Sequence, residues 1–342
     1  MKSACMKKGL IALVAMLVVC GQSQAQPAAA NDATIDRASG SRYPTKPVRV
    51  IISTSPSGGT DYAARMFGQK LSEMWGQSVV LDNRPGATGM IGLDVVAHAN
   101  PDGYTLLVMN VGHLITAALS EKLNFDVMKD FTPVSIVATT PVLLVVHPSV
   151  NARTIQELIA LAKSQPGKLL YASGGPGGVQ HVATELLKQE AKIDLVHVPY
   201  KGTGPSLIDL LSGEVHLTLT SVPSVVGHVN SGKLRALALT GNSRLVALPN
   251  VPTFREAALP GVAVEIWYGL LAPSRTPAWI VDRIAGSVAR VAGMSDMKEK
   301  MSRGGADPVG NTPAQFAAYF KAEREKWLKV ARHANIKLDS AH

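Results

Sequence analysis

The chain has 342 residues, a formal net charge of +9 and two cysteines, Cys5 and Cys20. Both cysteines lie within residues 1–25, so a chain that begins after residue 25 has no thiol for a disulfide bond, a thiolate metal site or a cysteine nucleophile. The 34 lysines and arginines are scattered rather than clustered, and aromatic residues make up only 5% of the sequence. This composition argues against a nucleic-acid-binding protein and indicates a mild attraction for anionic solutes.

The first residues have the features of a secretory signal peptide. Three lysines precede an apolar run that starts at Leu10, and the small residues Ser23 and Ala25 follow it. This pattern predicts cleavage after Ala25 and export of the remaining chain. The apolar run is shorter than the roughly 20 residues that a membrane-spanning helix needs. Val19 stands before Cys20 where a lipid-attachment box has a small residue, so a cleaved leader is favoured over a lipid anchor.

The remaining chain alternates between β-rich and helical segments. Removal of the leader lowers the net charge to +6 and leaves about 315 residues, enough for two domains. Residues 26–42 are small and polar and predict a flexible lead-in. The predicted strands of the part that follows are 48–53, 78–83 and 104–110, and its predicted helices are 60–76 and 91–100. This rhythm predicts a mostly parallel sheet with helices on its faces.

Two long β-rich runs divide the chain. The first, 133–149, is interrupted by Pro141, and the second is 264–274. Between them lie predicted helices at 154–167, 179–191 and 205–213 and predicted strands at 168–173, 195–200, 215–221 and 233–240. Two crossings with α/β segments on both sides predict a two-lobed clamshell with a cleft between the lobes.

The last predicted helix begins at Thr312, with Pro313 in its first turn. Its spacing predicts that Phe316, Phe320 and Trp327 face the core and that the charged run 321–326 faces water.

Three glycine-rich turns each follow a predicted strand and open a predicted helix. They are Ser55–Asp61 ("SPSGGTD"), 173–180 ("SGGPGGVQ") and 201–206 ("KGTGPS"). In an open α/β sheet such turns lie together at the carboxyl ends of the strands. Glycine lets the backbone approach a ligand, and a helix N-terminus supplies unpaired N–H groups and about half a positive charge. The three turns together favour an anion site.

The turns lack the spacings of several known sites. None has the phosphate-binding pattern G-x-x-x-x-G-K-[ST] or a G-x-G-x-x-G with a ribose-binding acid. No G-x-S-x-G elbow occurs, and His181, near the start of a helix, is more simply a capping or core residue than a partner of Ser173. The nine histidines include no H-E-x-x-H pair, so neither a metal nor another cofactor is expected.

The charged residues near the turns have two interpretations. Asp61 lies in the first turn of its helix, where it either ties its own loop and complements the helix dipole or contacts a ligand. Arg65 and Arg84 lie outside the three turns and are interpreted as structural. A small anion such as a carboxylate, held by backbone N–H groups and hydroxyls, is the ligand that these observations favour.

Eight segments, taken in order, resemble one family. They are "YPTKPVRVII", "SPSGGTD", "LDNRPGATGMIGLDVVAHANPDGYTLL", "FTPVSIVATTPVLLVVHPS", "LLYASGGPGG", "HVPYKGTGPSLIDLLSGEV", "VPTFREA" and "WYGLLAPSRTP". From Tyr43 to the C-terminus the chain resembles the Bug-type periplasmic solute receptors of tripartite tricarboxylate transporters. The resemblance implies a type II periplasmic-binding-protein clamshell that closes on a small organic mono- or dicarboxylate and has no catalytic activity.

The resemblance also implies an organisation and partners. We expect one lobe to comprise 43–143 plus 263–342 and the other to comprise 144–262. The expected partner is a membrane permease, the expected location is the periplasm, and the expected state is a monomer.

The family's ligand loops can be placed on this sequence. In the family the first strand-to-helix loop holds a ligand carboxylate, often through waters, and loops of the second lobe complete the site. The implied residues of the first loop are Ser55, Ser57, Gly58, Gly59, Thr60 and Asp61. Those of the second lobe are Ser173, Gly174, Gly175, Thr203 and Gly204. Looser candidates are Trp267 and, in the loop after 104–109, Asn110 and His113, while Tyr200 either forms a wall of the cleft or packs in the core.

This chain departs from the family at three positions in the first loop and directly before it. Many relatives have proline and an aromatic residue where it has Ser53 and Thr54, and glycine where it has Ser57. We therefore expect a more polar mouth of the pocket and a ligand difference at Ser57.

Two alternatives stay open on the sequence alone. One is an exported hydrolase that uses Ser173 and His181 in the same cleft. The other is a sensory receptor whose closed form signals to a membrane kinase.

Overall fold

The computed structural model of the chain describes residues 42–120 and 123–333. The predicted leader, its cleavage after Ala25 and the lead-in up to residue 41 lie outside the described residues. Within the described ranges, no helix combines the length and hydrophobicity that a membrane crossing requires.

The elements follow the predicted alternation. The first part contains β1 Val48–Ile52, α1 Gly59–Trp75, β2 Val79–Asn83, α2 Met90–Ala97, β3 Thr105–Asn110, α3 Val111–Leu119 and β4 Phe131–Val146. The middle part contains α4 Ile155–Ser164, β5 Leu170–Ser173, α5 Val179–Ala191, β6 Val196–Pro199, α6 Thr203–Ser212, β7 Leu217–Ser221, α7 Val222–Asn230 and β8 Arg235–Leu239. The last part contains β9 Glu265–Pro273, α8 Ala278–Gly293, α9 Ser295–Arg303, β10 Asp307–Pro308 and α10 Pro313–His333.

Strand β4 is shared between two sets of strands. Its residues Phe131–Pro141 pair with β9, whereas Val142–Val146 pair with β7 and β8. The order of the main ladder is β2-β1-β3-β9-β4-β7-β5-β6. We call the strands up to Pro141 of β4, with β9 and β10, the first sheet, and Val142–Val146 with β5 to β8 the second sheet. The change of partner at Pro141 confirms that the first β-rich run passes from one part of the fold to the next.

The sheets are parallel at their outer strands and antiparallel at the crossing strands. Strand β1 pairs in parallel with β2 and β3, and β5 pairs in parallel with β6 and β7. Strand β9 is antiparallel to both β3 and β4. The carboxyl ends of the parallel strands therefore point at the centre of the molecule, where their turns into helices meet.

The second half of β4 is buried on both faces. Leu144 belongs to the large apolar cluster of the molecule, whereas Leu143 and Val145 belong to a smaller cluster with Leu210 and Val225. Alternate residues of a strand point to opposite faces, so this apolar run separates two cores. The strand that joins the two sheets is thereby held rigidly in place.

Helix α10 packs on the first sheet through aromatic residues. Phe316, Phe320 and Trp327 are 0%, 2% and 1% exposed, which confirms the predicted inward face. The prediction that the whole run 321–326 faces water is wrong at Glu323, which is only 5% exposed. Its Oε2 accepts hydrogen bonds from Nε1 of Trp267 at 3.2 Å and of Trp327 at 2.9 Å. Hydrogen bonds from the two indole N–H groups replace those to water that the carboxylate loses on burial.

The variant Glu323→Ala should lower the free energy of unfolding by about 2–4 kcal/mol, because it leaves two buried indole N–H groups without an acceptor. Glu325→Ala is the matched control, since Glu325 is exposed on the same helix. We expect the control to change stability by less than about 0.5 kcal/mol in urea denaturation. Equal effects of the two substitutions would show that the indole contacts contribute nothing.

Candidate ligand-binding site

A cavity of about 440 Å³ lies where the strand-to-helix turns of the two sheets meet. The N-cap residues of six helices line it, and these are Gly58 of α1, Gly89 of α2, Asn110 of α3, Gly178 of α5, Gly202 of α6 and Ser221 of α7. Asn110 is the only one of these six N-caps whose side chain accepts a hydrogen bond from a backbone N–H of its helix. Helix N-termini carry unpaired N–H groups and partial positive charge, so their convergence makes the cavity attractive to an anion.

The first turn supplies one wall of the cavity. Ser55, Gly58, Gly59 and Thr60 all line it. Oγ of Ser55, which is 7% exposed, accepts a hydrogen bond from the backbone N–H of Gly204 at 3.3 Å. The first and third glycine-rich turns thus contact each other directly.

Asp61 holds this turn in shape and does not line the cavity. Its carboxylate accepts hydrogen bonds from the backbone N–H of Ser57 at 3.2 Å, from Nδ2 of Asn83 at 3.0 Å and from Nε of Arg65 at 2.8 Å. Asp61 is 4% exposed. Of the two predicted roles, the structure shows the loop-tying one, and it confirms the structural interpretation of Arg65.

Ser57 lies outside the cavity lining, on the exposed side of the turn. Its φ of 68° is in the left-handed region that favours glycine. The glycine that the resemblance implies at this position would adopt this backbone conformation without strain. Ser53 and Thr54, the other two departures, do line the cavity, so they rather than Ser57 are placed to alter its polarity.

Instead of lying in the predicted loop, Asn110 ends strand β3 and caps helix α3, and His113 lies in the first turn of that helix. The Asn110 side chain accepts the backbone N–H of Gly112 at 2.8 Å, and the Asn110 backbone N–H donates to Nδ1 of His113 at 2.9 Å. This reciprocal capping box starts the helix immediately after β3. Asn110 Nδ2 also donates to Thr60 Oγ1 at 2.8 Å, which links the turns before α1 and α3.

His113 is neutral in this setting. Because Nδ1 accepts a backbone N–H, we assign the ring proton to Nε2, which lies 3.2 Å from Ser53 Oγ. Burial lowers the pKa of His113 to about 4, although the hydrogen bonds with Asn110 and Ser53 oppose this change. The imidazole therefore lines the cavity as a hydrogen-bonding group and not as a cation.

The loops of the second sheet supply the opposite wall. Gly174, Gly175 and Thr203 line the cavity, whereas Ser173 and Gly204 lie behind it. The Gly174 N–H donates to Gln180 Oε1 at 2.5 Å, and the Gly175 N–H donates to Ser173 Oγ at 3.1 Å. These glycines therefore shape the loop with their N–H groups already engaged.

The structure pairs Ser173 with a different histidine from the one considered for a hydrolase. Ser173 Oγ lies 2.6 Å from Nε2 of His197. The ring of His181 stacks on that of His197 with a centroid distance of 4.3 Å, and its Nδ1 accepts the Gly177 N–H at 3.0 Å. Ser173 is fully buried. Sequence reasoning missed His197 because strands β5 and β6, which are separated in sequence, bring it next to Ser173.

Trp267 points away from the cavity, and its neighbour Tyr268 lines it. Trp267 is 0% exposed, and its ring packs on Phe316 and Phe320 with centroid distances of 5.6 and 5.8 Å. Successive strand residues face opposite sides, so Tyr268 faces the cavity. Residues of a strand alternate between its two faces, and the aromatic face of the last helix indicates where Trp267 packs. These two sequence signals together could have identified Tyr268 as the residue that faces the cavity.

Direct contacts close the cavity on two sides. Besides the bond between Ser55 and Gly204, Thr88 Oγ1 donates to the Pro176 carbonyl oxygen at 3.3 Å.

Tyr200 and Lys201 also line the cavity, and the Tyr200 hydroxyl donates to Asp209 Oδ2 at 2.7 Å. Lys201 is the only lysine or arginine among the lining residues that the structure describes. In the same described residues, no cluster of three or more histidine, aspartate or glutamate side chains is placed to hold a metal ion.

Comparison with known proteins places this fold and cavity in a family. Residues 63–336 match the family described as "Tripartite tricarboxylate transporter family receptor". The chain belongs to this family of receptors. Protein BugT of Bordetella pertussis is 34% identical over 298 residues, which cover 86% of this chain and 91% of BugT. The predicted resemblance to Bug-type receptors is confirmed.

Solved structures of family members have the same fold. The R. palustris protein Rpa4515 with adipate is 35% identical, with a TM-score of 0.84 and coverage of 86% of this chain and 99% of that one. MatC from Rhodopseudomonas palustris with bound malate is 33% identical, with a TM-score of 0.79 and coverage of 84% and 99%. The predicted two-lobed periplasmic-binding-protein fold is confirmed. These comparisons add no support for a hydrolase or a sensory receptor.

The stability of the protein should depend on pH through His113. Its folded pKa of about 4 lies below the ordinary value of 6.5. The unfolded imidazole therefore binds a proton at a pH where the folded one does not, so its contribution is fully present above about pH 6.5 and is lost as the pH falls toward 4. Between pH 7 and pH 4, the wild type should lose about 3 kcal/mol more than His113→Gln in urea denaturation.

His98→Gln is the matched control, because His98 is exposed. It should retain the pH dependence of the wild type. Parallel curves for the wild type and His113→Gln would contradict a neutral, buried His113.

Proposed function

We propose that the protein is a periplasmic receptor that binds a small organic carboxylate in the cavity between its two lobes and delivers it to a membrane permease. The observation that carries this proposal is the convergence of six helix N-caps on one cavity. Backbone N–H groups and helix dipoles favour a negative charge without a dedicated basic side chain.

The chemistry of the lining suits a small anion such as a carboxylate. Hydroxyl groups of Ser55, Thr60 and Thr203 accompany the helix N-termini, and Lys201 adds one positive charge. The cavity volume of about 440 Å³ is within the range of small-molecule sites and suits a ligand of a few carbon atoms. Adipate in Rpa4515 and malate in MatC, both dicarboxylates, support this ligand class.

Binding without turnover fits the placement of the buried groups. Ser173, the serine considered as a nucleophile, is fully buried behind the lining and hydrogen-bonded to His197. His113 is neutral because burial lowers its pKa to about 4, and its ring nitrogens face the Asn110 backbone N–H and Ser53 Oγ. The predicted signal peptide supports a periplasmic location, and a monomer that opens and closes is the simplest state for delivery to a permease. We infer lobe limits of 43–143 plus 263–342 and 144–262, since the change of pairing at Pro141 lies close to the first limit.

Isothermal titration calorimetry should detect binding of at least one C4–C6 dicarboxylate or a related monocarboxylate to the purified protein, with a dissociation constant in the micromolar range or below. The variant Gly59→Ala should bind it at least tenfold more weakly. A Cβ at Gly59 would overlap the Tyr268 hydroxyl and lie 2.5 Å from Ser221 Oγ, which opposes closure around the ligand.

The matched control is Gly286→Ala, in an exposed part of helix α8 where a Cβ meets open space. It should keep the wild-type affinity and gain about 0.5–1 kcal/mol of stability. Failure of the wild type to bind any carboxylate, or release of a chemically altered product, would contradict the proposed function.

A further inference from the structure

The Tyr268 hydroxyl is a buried donor that lacks a partner. Tyr268 is 1% exposed, and its side chain lines the cavity. Among the described residues, no group makes a hydrogen bond to its hydroxyl oxygen. A buried hydroxyl without a partner lowers stability, so native proteins seldom retain one that serves no purpose.

This hydroxyl lies between the N-termini of two helices from opposite walls. A Cβ added at Gly59, the first residue of α1, would overlap it and would also lie 2.5 Å from Oγ of Ser221, the N-cap of α7. Ser221 Oγ is itself bonded to Ser224 Oγ at 2.7 Å. Because Gly59 has no Cβ, there is room for the Tyr268 hydroxyl beside the first residue of α1.

The position of Tyr268 is fixed by its strand. On β9 it pairs with Asn110 of β3 on one side and with Ala138 of β4 on the other. A donor held by two strand neighbours loses little freedom when it binds a ligand, so its hydrogen bond adds affinity efficiently.

The phenol keeps its proton across the physiological range. Burial raises the pKa of Tyr268 far above its ordinary value, and the Ser221 hydroxyl, which is near the phenol but not in hydrogen-bonding geometry with it, opposes this only in part. The group therefore offers an O–H donor at neutral pH, which suits an anionic oxygen as partner.

We propose that the Tyr268 hydroxyl donates a hydrogen bond to a carboxylate oxygen of the ligand, in a subsite completed by the N-termini of α1 and α7. This inference rests on the proposed function, because it assigns a residue to the same cavity. The subsite contacts both walls and the crossing strand at once, so a carboxylate bound there favours the closed arrangement of the turns.

The test compares two conservative variants of buried tyrosines. Tyr268→Phe removes only the unpartnered hydroxyl. Tyr43→Phe is the matched control, because Tyr43 is also 1% exposed but lies outside the cavity and donates its hydrogen bond to the Gly103 carbonyl oxygen at 2.5 Å. Both are measured by calorimetry with the carboxylate that binds the wild type most tightly, and by thermal unfolding with and without that carboxylate.

The two variants should show opposite patterns. We expect Tyr268→Phe to bind the carboxylate at least tenfold more weakly and to show a smaller ligand-induced rise in melting temperature, with the ligand-free melting temperature unchanged or higher. We expect Tyr43→Phe to melt at a lower temperature and to keep the wild-type affinity.

Wild-type affinity in Tyr268→Phe would overturn this inference and leave the proposed function standing. A lower ligand-free melting temperature of Tyr268→Phe would also overturn it, because the hydroxyl would then serve the fold. Absence of carboxylate binding by the wild type would instead overturn the proposed function.

Discussion

The structure depends on a strand that two sheets share. Because β4 pairs with β9 up to Pro141 and with β7 and β8 from Val142, the carboxyl ends of parallel strands on both sides face one another. Each of these strands is followed by a helix, either directly or after a short turn, so helix N-termini from both sides meet around one cavity. The positive end of each helix is thus supplied by the backbone, and the fold itself creates the field that attracts an anion.

The side chains around the cavity fit this arrangement. Asp61 is engaged by Ser57, Asn83 and Arg65, so its negative charge ties a loop and does not line the cavity. His113 is neutral because burial lowers its pKa. The lining is therefore mostly glycines and hydroxyls, which let a ligand approach the backbone. Such a site can discriminate among carboxylates by the few larger or polar side chains in its lining, including Ser53, Thr54 and Tyr268.

Most of the fold could be predicted from the sequence, because hydrophobic periodicity and glycine turns are local signals. Helices α3 and α7 were missed, since each begins at the residue after its strand, with no turn between them, and is rich in valine or other apolar residues. The candidate site was predicted at the level of loops. The choice of Trp267 over Tyr268, and of His181 over His197, required knowledge of which face each strand presents and of which strands are neighbours. These are tertiary facts that one sequence does not contain.

The central claim is that helix N-termini bind the charge of the ligand. A crystal structure of protein purified without refolding, at a resolution that defines the oxygens of a ligand in the cavity, tests it most directly. We expect carboxylate oxygens within hydrogen-bonding distance of backbone N–H groups at the start of α1 and at the start of a helix from the opposite wall. A ligand without an anionic group, or an anion bound only by the side chain of Lys201, would contradict it.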